Sequence, residues 1–177
     1  MAPRTLFKET YYHIYNRGFN KQQLFFEDRD FERFLKNVPR YQEKFPNVKI
    51  LSWCVLPNHF HLIIKEVQPG FGEAGLVIPE SANISAFMNR LQQAYAVFFN
   101  TKYGEKIKQG LKSPVFEGRF QSREIMDEDY LAHLQAYVEL NAVKHELVEN
   151  PEEWDYSSFN SDSDYNIGKD DFDPYFE

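Results

Sequence analysis

The chain has 177 residues, a formal charge of -7 and an aromatic fraction of 17%, with 17 Phe and 11 Tyr. That length suits one domain with a substantial core. The lone cysteine, Cys54, excludes an internal disulfide, no apolar run approaches the ~20 residues of a membrane helix, and MAPRTLFKET lacks the apolar stretch of a secretory leader, so a reducing, cytoplasmic setting is expected.

The charge is unevenly placed. Met1–His145 carries 19 Lys and Arg against 16 Asp and Glu, whereas Glu146–Glu177 carries 1 against 11. A mildly basic body with an acidic end is compatible with a phosphate-bearing partner, but with weaker nonspecific attraction than a strongly basic protein has.

Tyr11–Arg17, YYHIYNR, is rich in β-formers and stops at Gly18, which predicts a first strand. His13 within it reads as a ligand or, more ordinarily, as a sheet histidine. Asp28 or Asp30 can cap a helix in which Phe31, Phe34, Leu35 and Val38 share a face. Pro39 is expected to stop or kink that helix near Asn37. Val48–Lys65 follows as a hairpin, two apolar runs joined by the turn dipeptide Pro57-Asn58. Alternation sends His59 and His61 to one face of its second strand and Phe60 and Leu62 to the other, into a core. Two adjacent imidazoles suit a metal ion, provided that a third donor reaches them.

Gln68–Pro79, with three Gly and two Pro, reads as a loop. Ser81 can cap the next helix, which lines up Ile84, Phe87, Met88, Leu91, Tyr95 and Phe98. A basic loop with four Lys, Lys102–Lys112, leads to Pro114–Ile125, read as a fourth strand bent at Gly118. Arg119 and Arg123 are phosphate contacts or solvated surface arginines. Asp127 can cap a last helix, Glu128–His145, with Leu131, Leu134 and Val138 on one stripe and Tyr130, His133, Tyr137 and Asn141 on its neighbour. Trp154, Tyr156 and Phe159 can dock on the body. The order β-α-β-β-α-β-α predicts an α+β fold, one domain over residues 1–160 with helices on one side of a four-stranded antiparallel sheet. Residues 161–177 are expected to form an acidic, disordered tail. If the last helix crosses the open face, Tyr137 and Asn141 can approach the two imidazoles.

Six stretches taken in order resemble the single-tyrosine HUH transposases of prokaryotes and, within them, the REP-associated tyrosine transposases. They are YYHIYNRG at 11–18, LFFEDRDFERFL at 24–35, His59-Phe60-His61 within LPNHFHLII, FEGRFQS at 116–122, YVELNAVKHELV at 137–148 and PEEWDYSSF at 151–159. The chain departs from the family pattern at Asn141-Ala142, where Asn-Pro is usual, and at Tyr156-Ser157-Ser158-Phe159, where Trp-Ser-Ser-Tyr is usual. The resemblance implies a ferredoxin-like fold with a C-terminal catalytic helix. It makes Tyr137 the nucleophile, and His59, His61 and Asn141 the ligands of one divalent ion. An amide oxygen and a phosphate favour Mg²⁺ or Mn²⁺, while two imidazoles keep zinc as the alternative.

The implied reaction is attack by the Tyr137 phenolate on a phosphate of single-stranded or hairpin DNA, giving a 5'-phosphotyrosine and a free 3'-hydroxyl that can later reverse the step on another strand. A free phenol ionises near pH ~10, so metal, a lysine such as Lys144, or solvent must help remove its proton. Arg17, Arg119, Arg123 and Lys112 are the implied DNA contacts, the acidic tail a competitor for them, and a monomer the expected state with a dimer as the alternative. Two rival readings remain: a non-catalytic module that binds hairpin DNA or RNA, and a metal-dependent hydrolase in which Tyr137 is only structural.

Overall fold

The computed structural model describes residues 9–67, 70–71, 77–78, 83–104 and 114–160. Its centre is a four-stranded antiparallel sheet in the order β2-β3-β1-β6, from β1 (Glu9–Arg17), β2 (Val48–Leu56), β3 (His59–Val67) and β6 (Gln121–Ile125). Two helices, α1 (Asp28–Gln42) and α2 (Ile84–Tyr103), cover one face, and α3 (Glu128–Glu139) crosses the other against β2, β3 and β6. The α+β, ferredoxin-like plan read from the chain is therefore the observed one, with α3 on the face left open by α1 and α2.

Alternation decides what each face carries. Ile14, Phe60, Leu62 and Ile64 enter the core under α1 and α2, and the intervening His59, His61 and Ile63 look toward α3. The large aromatic content is mostly used in that first core: Phe25, Phe34, Phe60, Phe87 and Tyr95 are fully buried, with Tyr95 Oη donating to the Leu24 carbonyl at 2.7 Å. Cys54, Leu56, Ile63, Ile125, Leu134, Val138 and Ala142 form a smaller layer that seats α3. Cys54 is buried among them, and burial pushes its thiol up to about 12, as suits an inert core residue.

Several boundaries differ from expectation. Glu27, not Asp28 or Asp30, is the residue before α1, and the Asp30 carboxylate instead reaches back to the amides of Phe26 and Glu27 at 2.8 and 3.3 Å. Pro39 does not end α1: it lies on the exposed side, and Tyr41 and Phe45 beyond it pack on the core and hold the last turn. Asn83 caps α2 by accepting from the Ala86 amide at 2.9 Å, and Ser81 lies outside the described residues. Within the expected Gln68–Pro79 loop, β4 (Gly70–Phe71) pairs with β5 (Val77–Ile78). The fourth strand of the main sheet is only Gln121–Ile125, because Gly118 turns the chain with φ +72° and leaves Phe116 in a single bridge to Gly18.

The last helix is broken. It ends at Glu139, Leu140 departs from helical geometry with ψ 5°, and a short α4 (Asn141–Lys144) follows. Asn141 Nδ2 donates to the Tyr137 carbonyl at 2.9 Å, so a side-chain amide takes the acceptor that a continuous helix would use for a backbone N–H. Downstream, Trp154 Nε1 donates to the Val55 carbonyl at 3.0 Å, Val55 N to the Tyr156 carbonyl at 2.8 Å and Ser158 N to the Trp53 carbonyl at 2.9 Å. The docking expected of Trp154 and Tyr156 is thus a strap along β2, finished by Tyr156 stacked on Phe31 with ring centroids 4.1 Å apart.

Asp30 joins α1 to the end of α2. Its fully buried carboxylate accepts from Lys102 Nζ and Tyr103 Oη, both at 2.6 Å. Burial alone would raise its pKa, but Lys102, Tyr103 and the Phe26 amide more than offset that and hold it low. Asp30→Ala strips partners from two amides and a phenol at once and should lower stability by about 2–4 kcal/mol, read from urea unfolding.

Candidate active site

The hairpin tip and the broken helix meet over the open half of the sheet. His59 and His61 are two residues apart on β3, with ring centroids 5.2 Å apart and planes nearly perpendicular. The Tyr137 ring, from the last turn of α3, stands edge-on to His61 with centroids 6.4 Å apart. Lys144 Nζ lies 4.2 Å from the centre of the same ring. The nucleophile and histidines proposed from the sequence are therefore neighbours in one chain.

Asn141 lies one residue beyond the break and is fully buried. Its Nδ2 is held by the Tyr137 carbonyl, while its Oδ1 has no hydrogen-bond partner among the described residues. A buried amide oxygen without a donor is costly in a protein interior and is the kind of atom a cation would satisfy. Among the described residues no three His, Cys, Asp or Glu side chains form a metal-holding group, so a cation at His59 and His61 needs a donor of another type. The chemistry of Asn141 Oδ1 suits that need.

Two further histidines belong to the cluster. His13 Nε2 and His61 Nδ1 are 2.9 Å apart, and His145, just after α4, approaches the His59 ring with centroids 5.0 Å apart. His59 Nδ1 lies 2.6 Å from Asn58 Oδ1, an acceptor only. That contact places the His59 proton on Nδ1 and leaves the Nε2 lone pair free. Sequence reading passed over His145, although its four-residue spacing from Asn141 was a usable signal. It left His13 as a ligand or a sheet histidine.

All three inner imidazoles are uncharged at neutral pH. Burial, then Arg123, pushes His13 down to about 4; burial, then His145 and Arg17, does the same to His59; burial, then the surrounding histidines and Lys144, takes His61 to about 3. The folded chain therefore binds fewer protons here than the unfolded chain, whose imidazoles titrate near 6.5. This contribution to stability is complete above pH 6.5 and is lost as pH falls toward about 4 for His13 and His59 and about 3 for His61. The urea midpoint should drop across that window, whereas a flat profile would show that these rings charge without cost.

Beside His59 and His145 a cleft of about 590 Å³ opens, lined also by Tyr15, Arg17, Lys21, Asn58, Glu117 and Gln121. Arg17 Nε is paired with Glu117 in this cleft. Lys21 is held there by a left-handed backbone, φ 51° at Asn20 and 60° at Lys21. Arg123 lies opposite His13 across the strand pair and is exposed, whereas Arg119 is exposed in the loop ahead of β6. Lys112 lies outside the described residues.

Residues 6–141 match the family described as IS200-like transposases, and the chain belongs to that family. A Haemophilus influenzae relative named as a REP-associated tyrosine transposase is 25% identical over 159 residues, a match covering 84% of this chain and 86% of the relative. In fold, the chain resembles a REP-associated tyrosine transposase solved bound to a REP hairpin, with a TM-score of 0.62 at 19% identity, covering 100% of this chain and 94% of the other.

Proposed function

We propose that this family member nicks and rejoins single-stranded or hairpin-bearing DNA, with Tyr137 as the nucleophile and a 5'-phosphotyrosine as the stored intermediate. The observation that carries this reading is the Tyr137 ring standing on His61 while Lys144 covers its face. His59 and His61, through Nε2, and Asn141, through its partnerless Oδ1, would hold Mg²⁺ or Mn²⁺, with zinc as the alternative. When bound, such an ion would polarise the scissile phosphate and offset its charge.

The chain's own groups do the rest. Tyr137 Oη forms a bond to phosphorus as the P–O3' bond breaks; the phenol proton goes to solvent on the exposed side, and the leaving 3' oxygen takes up a proton. The Lys144 ammonium faces the negative charge that develops on the phenol. The bond energy stays in the tyrosine ester, so the 3'-hydroxyl can reverse the step without a nucleotide cofactor. Arg17 and Lys21 in the cleft, with the exposed Arg119 and Arg123 and with Lys112, would hold phosphates of the strand. Since one chain supplies both imidazoles and the phenol, a monomer is sufficient for the reaction.

The test is incubation of 3'-labelled single strands carrying a hairpin with the protein and Mn²⁺, followed by a denaturing gel. A labelled band at the protein's size supports covalent catalysis. A shifted but uncaptured strand on a native gel would instead mark a binding module. The acidic segment enters the same proposal: Asp162–Glu177, with 6 acidic residues against 1 basic one, competes with phosphates for the body. A chain ending at Asn160 should bind hairpin DNA more tightly at low salt, and equal affinity would dismiss that competition.

A further inference from the structure

We infer that His13 is a positioning residue that holds His61 in the tautomer a cation site requires. An imidazole binds a metal through a nitrogen that carries no proton, and its other N–H is commonly fixed by a neighbouring acceptor. His59 meets this condition through Asn58, whose side-chain oxygen can only accept. Among the described residues, no amide or carboxylate lies at the Nδ1 of His61. It has the Nε2 of His13 at 2.9 Å.

Two proton arrangements fit that distance. If His13 donates, His61 must carry its own proton on Nε2, and the nitrogen turned away from His13 is lost as a ligand. If His61 donates, its Nε2 lone pair is free and matches that of His59, while His13 carries its proton on Nδ1. Only the second arrangement gives the paired donors of the proposed function, on which this inference rests.

The fold fixes the contact rather than leaving it to chance. His13 pairs across the sheet with Ile63, so His61 is its diagonal neighbour, two residues along β3 on the same face. The two rings lie nearly parallel, 22° between planes with centroids 5.1 Å apart, and His13 is only 9% exposed. Tyr15 closes the side of the pair, with its ring 5.1 Å from His13 and 5.7 Å from His61. A ring so enclosed keeps one orientation, and its Nε2 stays on His61.

The experiment uses the metal-free full chain labelled with ¹⁵N-histidine, as wild type, His13→Gln and His13→Phe, and reads the ring nitrogens by long-range ¹H–¹⁵N correlation. Wild-type His61 should show a protonated Nδ1 and a bare Nε2. His13→Gln, which retains an acceptor, should keep that pattern, and His13→Phe should move the proton to Nε2. In Mn²⁺ titrations His13→Phe should bind roughly 10- to 100-fold more weakly and His13→Gln within about threefold of wild type. A wild-type His61 protonated on Nε2, or a pattern unaltered by His13→Phe, overturns the inference. The spectra need neither metal nor DNA: the expected tautomer in a chain that binds no Mn²⁺ would sustain the role of His13 and remove the cation from the proposed function.

Discussion

Tyr137→Phe should abolish covalent capture of DNA while leaving hairpin affinity and fold intact. The substitution removes one oxygen from a ring that is 39% exposed, so it opens no cavity and strands no buried partner. The ring still rests against His61, and Lys144 still covers it. Loss of an attacking group that nothing nearby replaces should cost on the order of 10³-fold or more in strand cleavage. The same variant separates the reading from its nearest competitor. A metal-dependent hydrolase would deliver water to the phosphate and would keep cutting without the phenol, producing free ends and no protein-linked strand. Cleavage by Tyr137→Phe at anything near the wild-type rate would therefore rule out Tyr137 as nucleophile.

Asn141→Ala should remove Mn²⁺ binding while barely altering the stability of the metal-free chain. The amide makes one hydrogen bond, to the Tyr137 carbonyl, and leaves its oxygen buried without a partner. Deleting it forfeits that bond, worth about 1 kcal/mol, but also relieves a desolvated acceptor of similar size, so the two effects should nearly cancel. With the cation present the balance changes. A ligand at 100 times its dissociation constant stabilises the folded state by about 2.7 kcal/mol, and the wild-type melting temperature should rise accordingly on addition of Mn²⁺. The Asn141→Ala protein should show no such rise. A variant that melts early without metal and still gains from Mn²⁺ would mean that Asn141 serves the helix break alone.

How much of this was legible depends on which interactions are local. The hairpin faces follow from alternation and a Pro-Asn turn, and the large core from helical spacing; each needs only neighbouring residues, and each is found in the fold. The break at Leu140 is not visible in a periodic pattern, because it involves a side-chain amide taking a backbone acceptor four residues earlier. Pro39 misleads in the opposite sense: local rules end the helix there, and packing of Tyr41 and Phe45 carries it on. His13 could be listed among the sheet residues, but its partner depends on β1 lying beside β3, a matter of strand order that no single stretch encodes. The same holds for the cleft, whose lining comes from β1, the hairpin tip, the loop before β6 and the end of α4.

The strap from Trp154 to Ser158 decides where the polypeptide can be shortened. By bonding to Trp53 and Val55 it satisfies the outer rim of β2, which would otherwise present unpaired amides and carbonyls to other molecules. A protein cut after Asn160 keeps that seal, whereas one cut ahead of Trp154 becomes a template onto which further copies can stack strand by strand, and its clumping would say nothing about DNA.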